Sequence, residues 1–133
     1  MTDELCNPTG PTQPQLRITP QEVATAYRET GLEPLMGISV RHKDNILCGG
    51  CALTALYSYS TGIKPPTFTP VRDWAKKIYG PNYIIGFVTG WDIVHECDIS
   101  PDHRKLQKES AYTVGEKDGI LALNHIRQIR GVQ

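Results

Sequence analysis

The sequence lacks any apolar run long enough to span a membrane, and it has no excess of charge of either sign. Its 133 residues include 14 Lys plus Arg and 14 Asp plus Glu, so the formal net charge is zero. A neutral chain has no overall electric field that would attract nucleic acid or an anionic membrane. We therefore expect neither nucleic acid nor a membrane among its partners.

The N-terminus also lacks a basic segment followed by an apolar stretch, which is the pattern of a secretory signal. This absence predicts a soluble, cytoplasmic protein. Because the cytosol keeps thiols reduced, the four cysteines are expected to be free thiols and not disulfides. Metal binding, catalysis and simple burial are then the three roles to compare for each cysteine.

Proline and glycine divide the chain into a tail and one folded domain. Residues 1–17 contain three prolines and few apolar side chains, which predicts a flexible tail, and residues 18–133 form the single domain. Thr-Pro pairs at 19–20 and 69–70 each precede helical spacing and a closing glycine, which is typical of short amphipathic helices. The fold class predicted is mainly α, a small single-domain helical bundle.

A minor β-hairpin is predicted before the central helix. Residues 36–40 alternate in polarity, residues 41–45 have the composition of a turn, and Ile46 and Leu47 are suited to pairing back. The central helix follows from about residue 50 and ends before Gly62. The hairpin would therefore lead directly into the core helix.

A pattern of Tyr-x-[Ile/Val]-Gly-x-x-x-Gly occurs twice, at residues 83–90 and 112–119. A glycine in a helix interior costs roughly 0.5–1 kcal/mol relative to alanine, so two in each copy indicate close packing that compensates. We predict that the copies pack against each other or against a second chain, and the second alternative would make the protein a homo-oligomer. The first copy is rich in β-branched and aromatic residues, so a strand is the alternative to a helix there.

Residues 48–51, Cys-Gly-Gly-Cys, stand directly before the apolar run of the central helix. A Cys-x-x-Cys pair at a helix N-terminus is typical of thiol–disulfide exchange, because the helix dipole lowers the pKa of the first thiol. In this interpretation Cys48 attacks a disulfide and Cys51 resolves the mixed disulfide. The usual context for this chemistry includes a strong preceding strand, which the sequence does not show.

The same pair has the spacing of half a zinc site. His95 and Cys97 would complete a set of four metal ligands with Cys48 and Cys51, and Cys97 with His103 is the alternative completion. A second Cys-x-x-Cys pair, which would be the stronger signal for zinc, is absent from the sequence. We therefore expect no cofactor, with zinc as the alternative.

Residues 45–51, Asn-Ile-Leu-Cys-Gly-Gly-Cys, resemble the active-site segment of papain-like cysteine proteases, in which a Cys-Gly-x-Cys begins the central helix. The resemblance implies Cys51 as the nucleophile, Asn45 as the oxyanion donor and His125 as the base, with His95 as the alternative base. It covers seven residues and one histidine. The sequence departs from that family by having asparagine where glutamine is usual and alanine where an aromatic residue follows the nucleophile.

A wider pattern covers about half of the chain. Gly-Leu-Glu-Pro at 31–34 is followed by Cys-Ala-Leu-Thr-Ala-Leu at 51–56 and by Gly-Phe-Val-Thr-Gly-Trp-Asp at 86–92. This order resembles a set of short bacterial and phage proteins that share Cys-x-Leu-x-Ala-Leu and Gly-Phe-x-x-Gly-[Phe/Trp]-Asp. The resemblance implies a small helical fold in which Cys51 belongs to the shared pattern and Cys48 does not, which weakens mechanisms that need two thiols.

A simpler interpretation needs no chemistry at the cysteines. Free cysteine commonly packs as a small buried hydrophobe, and a Gly-Gly pair before a helix needs no role beyond its turn. The sequence therefore favours a small binding or interaction protein without catalytic activity, whose partner is a protein or a small ligand. The alternatives are a papain-like cysteine hydrolase that uses Cys51, and a structural zinc or thiol redox site at Cys48 and Cys51.

Overall fold

The computed structural model describes residues 16–92 and 110–130 of the chain. The helices in this part are α1 (Pro20–Thr30), α2 (Ala52–Thr61), α3 (Thr69–Tyr79), α4 (Pro81–Asp92) and α5 (Ser110–Arg130). The strands are β1 (Glu33–Pro34), β2 (Val40–Lys43) and β3 (Ile46–Gly50), which form one sheet in the order β1-β3-β2. The predicted fold class, mainly α with a minor hairpin before the central helix, is confirmed. The predicted tail at 1–17 falls mostly on residues outside the described part.

The limits of α1 follow from its capping residues. The Thr19 hydroxyl accepts a hydrogen bond from the Glu22 backbone N–H at 3.1 Å, and the Glu22 carboxylate accepts one from the Thr19 N–H at 2.9 Å. This reciprocal capping box satisfies N–H groups that have no partner within the helix. At the other end Gly31 takes the left-handed conformation, with φ of 73°, and its N–H donates to the Tyr27 carbonyl. The predicted start and end of this helix are confirmed.

The hairpin of β2 and β3 turns through only two residues, Asp44 and Asn45. Both have positive φ, 54° and 65°, which is the pattern of a type I′ turn and matches the twist of paired strands. The first strand of the hairpin therefore occupies residues 40–43 and not residues 36–40, so that residues 41–43 of the predicted turn belong to the strand. A two-residue turn leaves these positions free to pair with β3, which explains the difference.

The Gly-Gly pair at 49–50 ends β3 where two other segments approach its backbone. A Cβ atom on Gly49 would lie 2.9 Å from the Glu33 carbonyl oxygen of β1, and one on Gly50 would collide with the Ser39 carbonyl oxygen. Both glycines are also buried. These two positions therefore need glycine for backbone packing, independently of any chemistry at the flanking cysteines.

The two Gly-x-x-x-Gly segments lie on α4 and α5, whose glycine faces pack against each other. Each glycine of one helix lies against a backbone carbonyl group of the other helix. That carbonyl belongs to the residue three positions before the matching glycine of the repeat. The pairs are Gly86 with Tyr112, Gly90 with Glu116, Gly115 with Tyr83, and Gly119 with Phe87. The residue numbers of the contacting pairs increase together along the two helices, so the helices are parallel and approximately twofold-related. The helical interpretation of residues 83–90 and the packing of the two copies on each other are both confirmed.

The core lies between α2 and the helices around it. Residues 51–58, at the start of α2, are all buried, so this helix is enclosed on every side along most of its length. Trp91 of α4 stacks on Tyr27 of α1 with ring centroids 6.1 Å apart, and its indole N–H donates to the Leu35 carbonyl at 2.7 Å. α4 thus connects α1 with the loop between β1 and β2.

None of the helices within residues 16–92 and 110–130 is both long enough and apolar enough to cross a membrane. The longest of them, α5, carries charged side chains along its length, and Asp118 among these is buried.

Candidate functional site

Cys51 occupies the N-cap position of α2, directly after the end of β3. Its side chain is 5% exposed, and its Sγ lies 3.8 Å from the Thr54 hydroxyl oxygen. Its backbone N–H donates to the Ser39 carbonyl at 3.1 Å, which fixes the point where the strand passes into the helix. The thiol makes no capping hydrogen bond to the helix N–H groups. Cys51 is therefore placed at a helix start but directed into the core.

Burial raises the pKa of the Cys51 thiol above its ordinary value. The nearby Thr54 hydroxyl and the backbone N–H groups of Thr54 and Leu53 lower this pKa, but their effect does not outweigh burial. Cysteine nucleophiles and redox cysteines have the reverse property, because they need a thiolate at neutral pH. The environment of Cys51 therefore maintains the neutral thiol, which is the unreactive form.

Cys48 lies within β3 and not at the helix start. Its side chain is half-buried, and its Sγ donates a long hydrogen bond of 3.5 Å to the Arg41 carbonyl of β2. Both Cys48 and Cys51 are free thiols. The redox interpretation places both thiols in the first turn of the helix, whereas only Cys51 lies there.

Asn45 and Cys51 stand at opposite ends of β3. A strand rises about 3.3 Å per residue, so the two positions are separated by roughly 20 Å. At this separation Asn45 is too far away to donate to an oxyanion formed at Cys51. Asn45 instead occupies the exposed hairpin turn.

His125 is half-buried in the last third of α5. Within the described residues no hydrogen bond joins its ring to Cys51, whose thiol lies against the Thr54 hydroxyl. His95, Cys97 and His103 lie outside the described residues. Among residues 16–92 and 110–130, no group of three or more His, Cys, Asp or Glu side chains has the arrangement of a metal site.

A polar network around the buried Asp118, which the sequence did not indicate, joins the chain before α1 to α4 and α5. The Arg17 guanidinium donates two hydrogen bonds to the Asp118 carboxylate, at 2.9 and 2.7 Å. The Tyr83 hydroxyl donates to the same carboxylate at 2.6 Å and accepts from the Ile18 backbone N–H at 2.7 Å. The only sequence signal is a difference between the repeats, because the residue before the second glycine is Thr89 in one copy and Asp118 in the other.

The charge state of this network follows from its contacts. Burial alone would raise the pKa of Asp118, but hydrogen bonds from Arg17 and Tyr83 and the charge of Arg17 outweigh it, so the pKa is lowered. Burial, together with the neighbouring Asp118 carboxylate, raises the pKa of Tyr83 far above its usual range. Asp118 is therefore ionised and Tyr83 neutral at neutral pH. Such a fixed charge state is consistent with a structural role, in which the network holds the chain before α1 against α4 and α5.

An open pocket lies where the C-terminal ends of α1 and α2 meet, and we name it the α1/α2 pocket. Its lining residues are Glu29, Thr30, Leu32, Ser58, Tyr59, Gly62 and Lys64. Ser58 is 8% exposed, and its hydroxyl has no hydrogen-bond partner within the described residues. The Ser58 oxygen is itself buried, so this serine lines the pocket through its other atoms.

Comparison with protein families, with curated proteins and with solved structures found no match to this chain. The function therefore has to be inferred from the geometry of the chain itself.

Proposed function

We propose that the protein is a non-catalytic, cytoplasmic binding protein and that Cys51 is a packing residue of its core. The observation that carries the proposal is the enclosure of the Cys51 thiol, which is 5% exposed and has a raised pKa. A substrate could not reach this sulfur without movement of the surrounding core. A neutral thiol that no substrate can reach supports neither hydrolysis nor disulfide exchange.

The hydrolase alternative retains one favourable observation, since Cys51 does stand at the start of a helix. The helix dipole at such a position favours a thiolate. Here desolvation is the larger effect and the pKa moves the other way. The alternative would also need a base from His125 or from His95, and an oxyanion donor other than Asn45.

The redox and zinc alternatives both require the Cys48 and Cys51 sulfurs to come together, either as a disulfide or on one zinc ion. Cys48 is bonded to the Arg41 carbonyl within the sheet, whereas Cys51 contacts Thr54 in the core. Joining the two thiols would require one of them to leave its present partner. These contacts favour the binding proposal, in which the two cysteines have separate packing roles.

The partner in this proposal is a small ligand or a protein, and that protein can be a second copy of this chain. The glycine faces of α4 and α5 are already occupied by each other. A homo-oligomer would therefore use a different surface from the one that the glycine repeat first suggested.

The proposal is tested by the alkylation rate of single thiols in the full chain. In a variant with Cys6, Cys48 and Cys97 replaced by serine, we expect iodoacetamide to modify Cys51 at least about 100-fold more slowly than free cysteine at pH 7, because modification requires local opening. In 8 M urea, about the concentration that unfolds small domains, the rate should approach that of free cysteine.

The matched control keeps Cys48 alone and replaces Cys51 and the other two cysteines by serine. Its half-buried thiol should react faster than Cys51 in the folded chain. If the folded chain modified Cys51 faster than free cysteine, the thiol would be activated and the proposal would be wrong.

A further inference from the structure

The α1/α2 pocket has a volume of about 420 Å³, which is enough for a small organic molecule. It is lined by two opposite charges, Glu29 and Lys64. Within the described residues these charges form no ion pair with each other, and Lys64 forms none at all. Glu29 contacts Arg28 at 3.4 Å, but both side chains are mostly exposed, and such a pair contributes little. Both charges are therefore available to a ligand.

The C-terminal ends of two helices line the pocket, through Glu29 and Thr30 of α1 and through Tyr59 and Gly62 at the end of α2. α1 ends at Gly31 and α2 at Gly62, with φ of 73° and 75°, so both helices stop beside the pocket in the same left-handed conformation. The last carbonyl groups of a helix have no partner within it and carry partial negative charge. Together with the Glu29 carboxylate, they make this part of the pocket suitable for an ammonium group.

The remaining lining residues suit the rest of a small zwitterion. Lys64 provides a positive charge for a carboxylate. The half-exposed ring of Tyr59 and the buried side chain of Leu32 provide apolar surface.

We propose that the α1/α2 pocket binds a small zwitterion of the free α-amino acid class. The ammonium group lies towards Glu29 and the two helix ends, the carboxylate pairs with Lys64, and the side chain of the ligand packs on Tyr59. This inference deepens the proposed function and rests on the protein being a binding protein.

The test is an NMR titration of the full chain with three probes of the same size class. L-phenylalanine carries both charged groups, its methyl ester lacks the carboxylate, and N-acetyl-L-phenylalanine lacks the ammonium. We expect L-phenylalanine to shift the backbone amides of Thr30, Leu32 and Gly62, and each derivative to bind about tenfold more weakly, as expected for the loss of one charge-assisted contact.

Two exposed variants assign each charge to its partner. Glu29→Gln should weaken L-phenylalanine binding about tenfold and remove the discrimination against the acetylated probe only. Lys64→Gln should weaken it to a similar extent and remove the discrimination against the ester only. Lys77→Gln changes an exposed lysine of α3 outside the pocket and should leave all three affinities unchanged. Both pocket substitutions are at exposed positions, so the variants are expected to fold.

Absence of amide shifts at millimolar L-phenylalanine would overturn the proposal, and so would equal affinity for the three probes, which would indicate apolar binding without recognition of charge. Either result leaves the alkylation rate of Cys51 unaffected. Conversely, fast alkylation of Cys51 would contradict the non-catalytic proposal without changing the titration. The two failures can therefore be told apart.

Discussion

Asp118 is the one buried charged residue within residues 16–92 and 110–130, and its partners explain why it is tolerated in the core. Its side chain is 5% exposed, yet it accepts two hydrogen bonds from Arg17 and one from Tyr83. A buried carboxylate without such partners would carry a desolvation cost of several kcal/mol. Because Arg17 directly precedes Ile18 and α1, this carboxylate fixes where the chain enters the folded domain.

The substitution Asp118→Asn is expected to lower the free energy of unfolding by about 1–3 kcal/mol at pH 7, because Arg17 and Tyr83 lose a charged acceptor. The pKa of Asp118 is lowered in the folded chain, so its stabilising effect is present above the unfolded pKa of about 4 and is lost as the pH falls below it. The difference between wild type and variant should therefore shrink between about pH 5 and pH 2. Urea unfolding at several pH values measures it.

The matched control is Asp73→Asn, at an exposed carboxylate that contacts Arg72 at 3.7 Å. Its effect on the free energy of unfolding should stay within about 0.5 kcal/mol. If the difference between wild type and Asp118→Asn stayed constant from pH 7 to the acid limit, ionisation of Asp118 would not be the cause.

Among the elements, the parallel helices α4 and α5 have packing that depends on the absence of a Cβ atom at four glycines. Each of these glycines lies against a carbonyl group of the other helix, closer than a Cβ atom would allow. Parallel neighbours need a long connection, and residues 93–109 provide it in sequence. The internal repeat thus produces within one chain the type of contact that Gly-x-x-x-Gly segments form between two helices.

Alanine at Gly86 or at Gly115 is expected to lower the free energy of unfolding by about 1–3 kcal/mol, because the added methyl group would force the helices apart. In an open helix the same change would stabilise by roughly 0.5–1 kcal/mol, so the sign itself tests the packing. The double variant should cost less than the sum of the two single variants, since both relieve strain by the same separation of the helices. Chemical denaturation measures all three.

Lys117→Ala is the control for this series, because it adds no contact and lies on the exposed face of α5. It should change the free energy of unfolding by no more than about 0.5 kcal/mol. A stabilising effect of both glycine substitutions would show that the helices are not in close contact in solution.

For the whole molecule, the distribution of contacts predicts an order of local opening. α4 packs on α5, stacks Trp91 on Tyr27 and is buried at most of its positions, whereas β2 is an edge strand with three exposed residues. Amide hydrogen exchange should therefore be slowest in residues 84–91 and fastest around the hairpin turn at 43–46, because exchange follows the free energy of local opening.

The measurement is exchange monitored by NMR or mass spectrometry at neutral pH. The amides of α3, which is amphipathic with an exposed face, provide the internal comparison and should exchange at intermediate rates. Faster exchange in α4 than in α3 would contradict the packing of α4 in the core.

The sequence by itself determined the features that depend on neighbouring residues. The Thr-Pro pair at 19–20 begins α1 and a glycine ends it, as predicted, and the glycine pattern at 83–90 and 112–119 predicted that its two copies pack closely. These predictions hold because capping, turn formation and helix spacing act over a few residues, where local propensity is the dominant effect. The first strand was misplaced within the same short range, because the turn needed fewer residues than expected.

Only the tertiary structure decided how these elements combine. The glycine faces could have met within one chain or between two, and the chain brings its own copies together. Arg17 and Asp118 are 101 positions apart, so no local pattern could pair them. The same holds for Cys51, whose position at a helix start suggests reactivity, while the core around it removes the water that a thiolate would need. Burial and long-range contacts depend on how all the elements pack together, so local sequence patterns could not predict them.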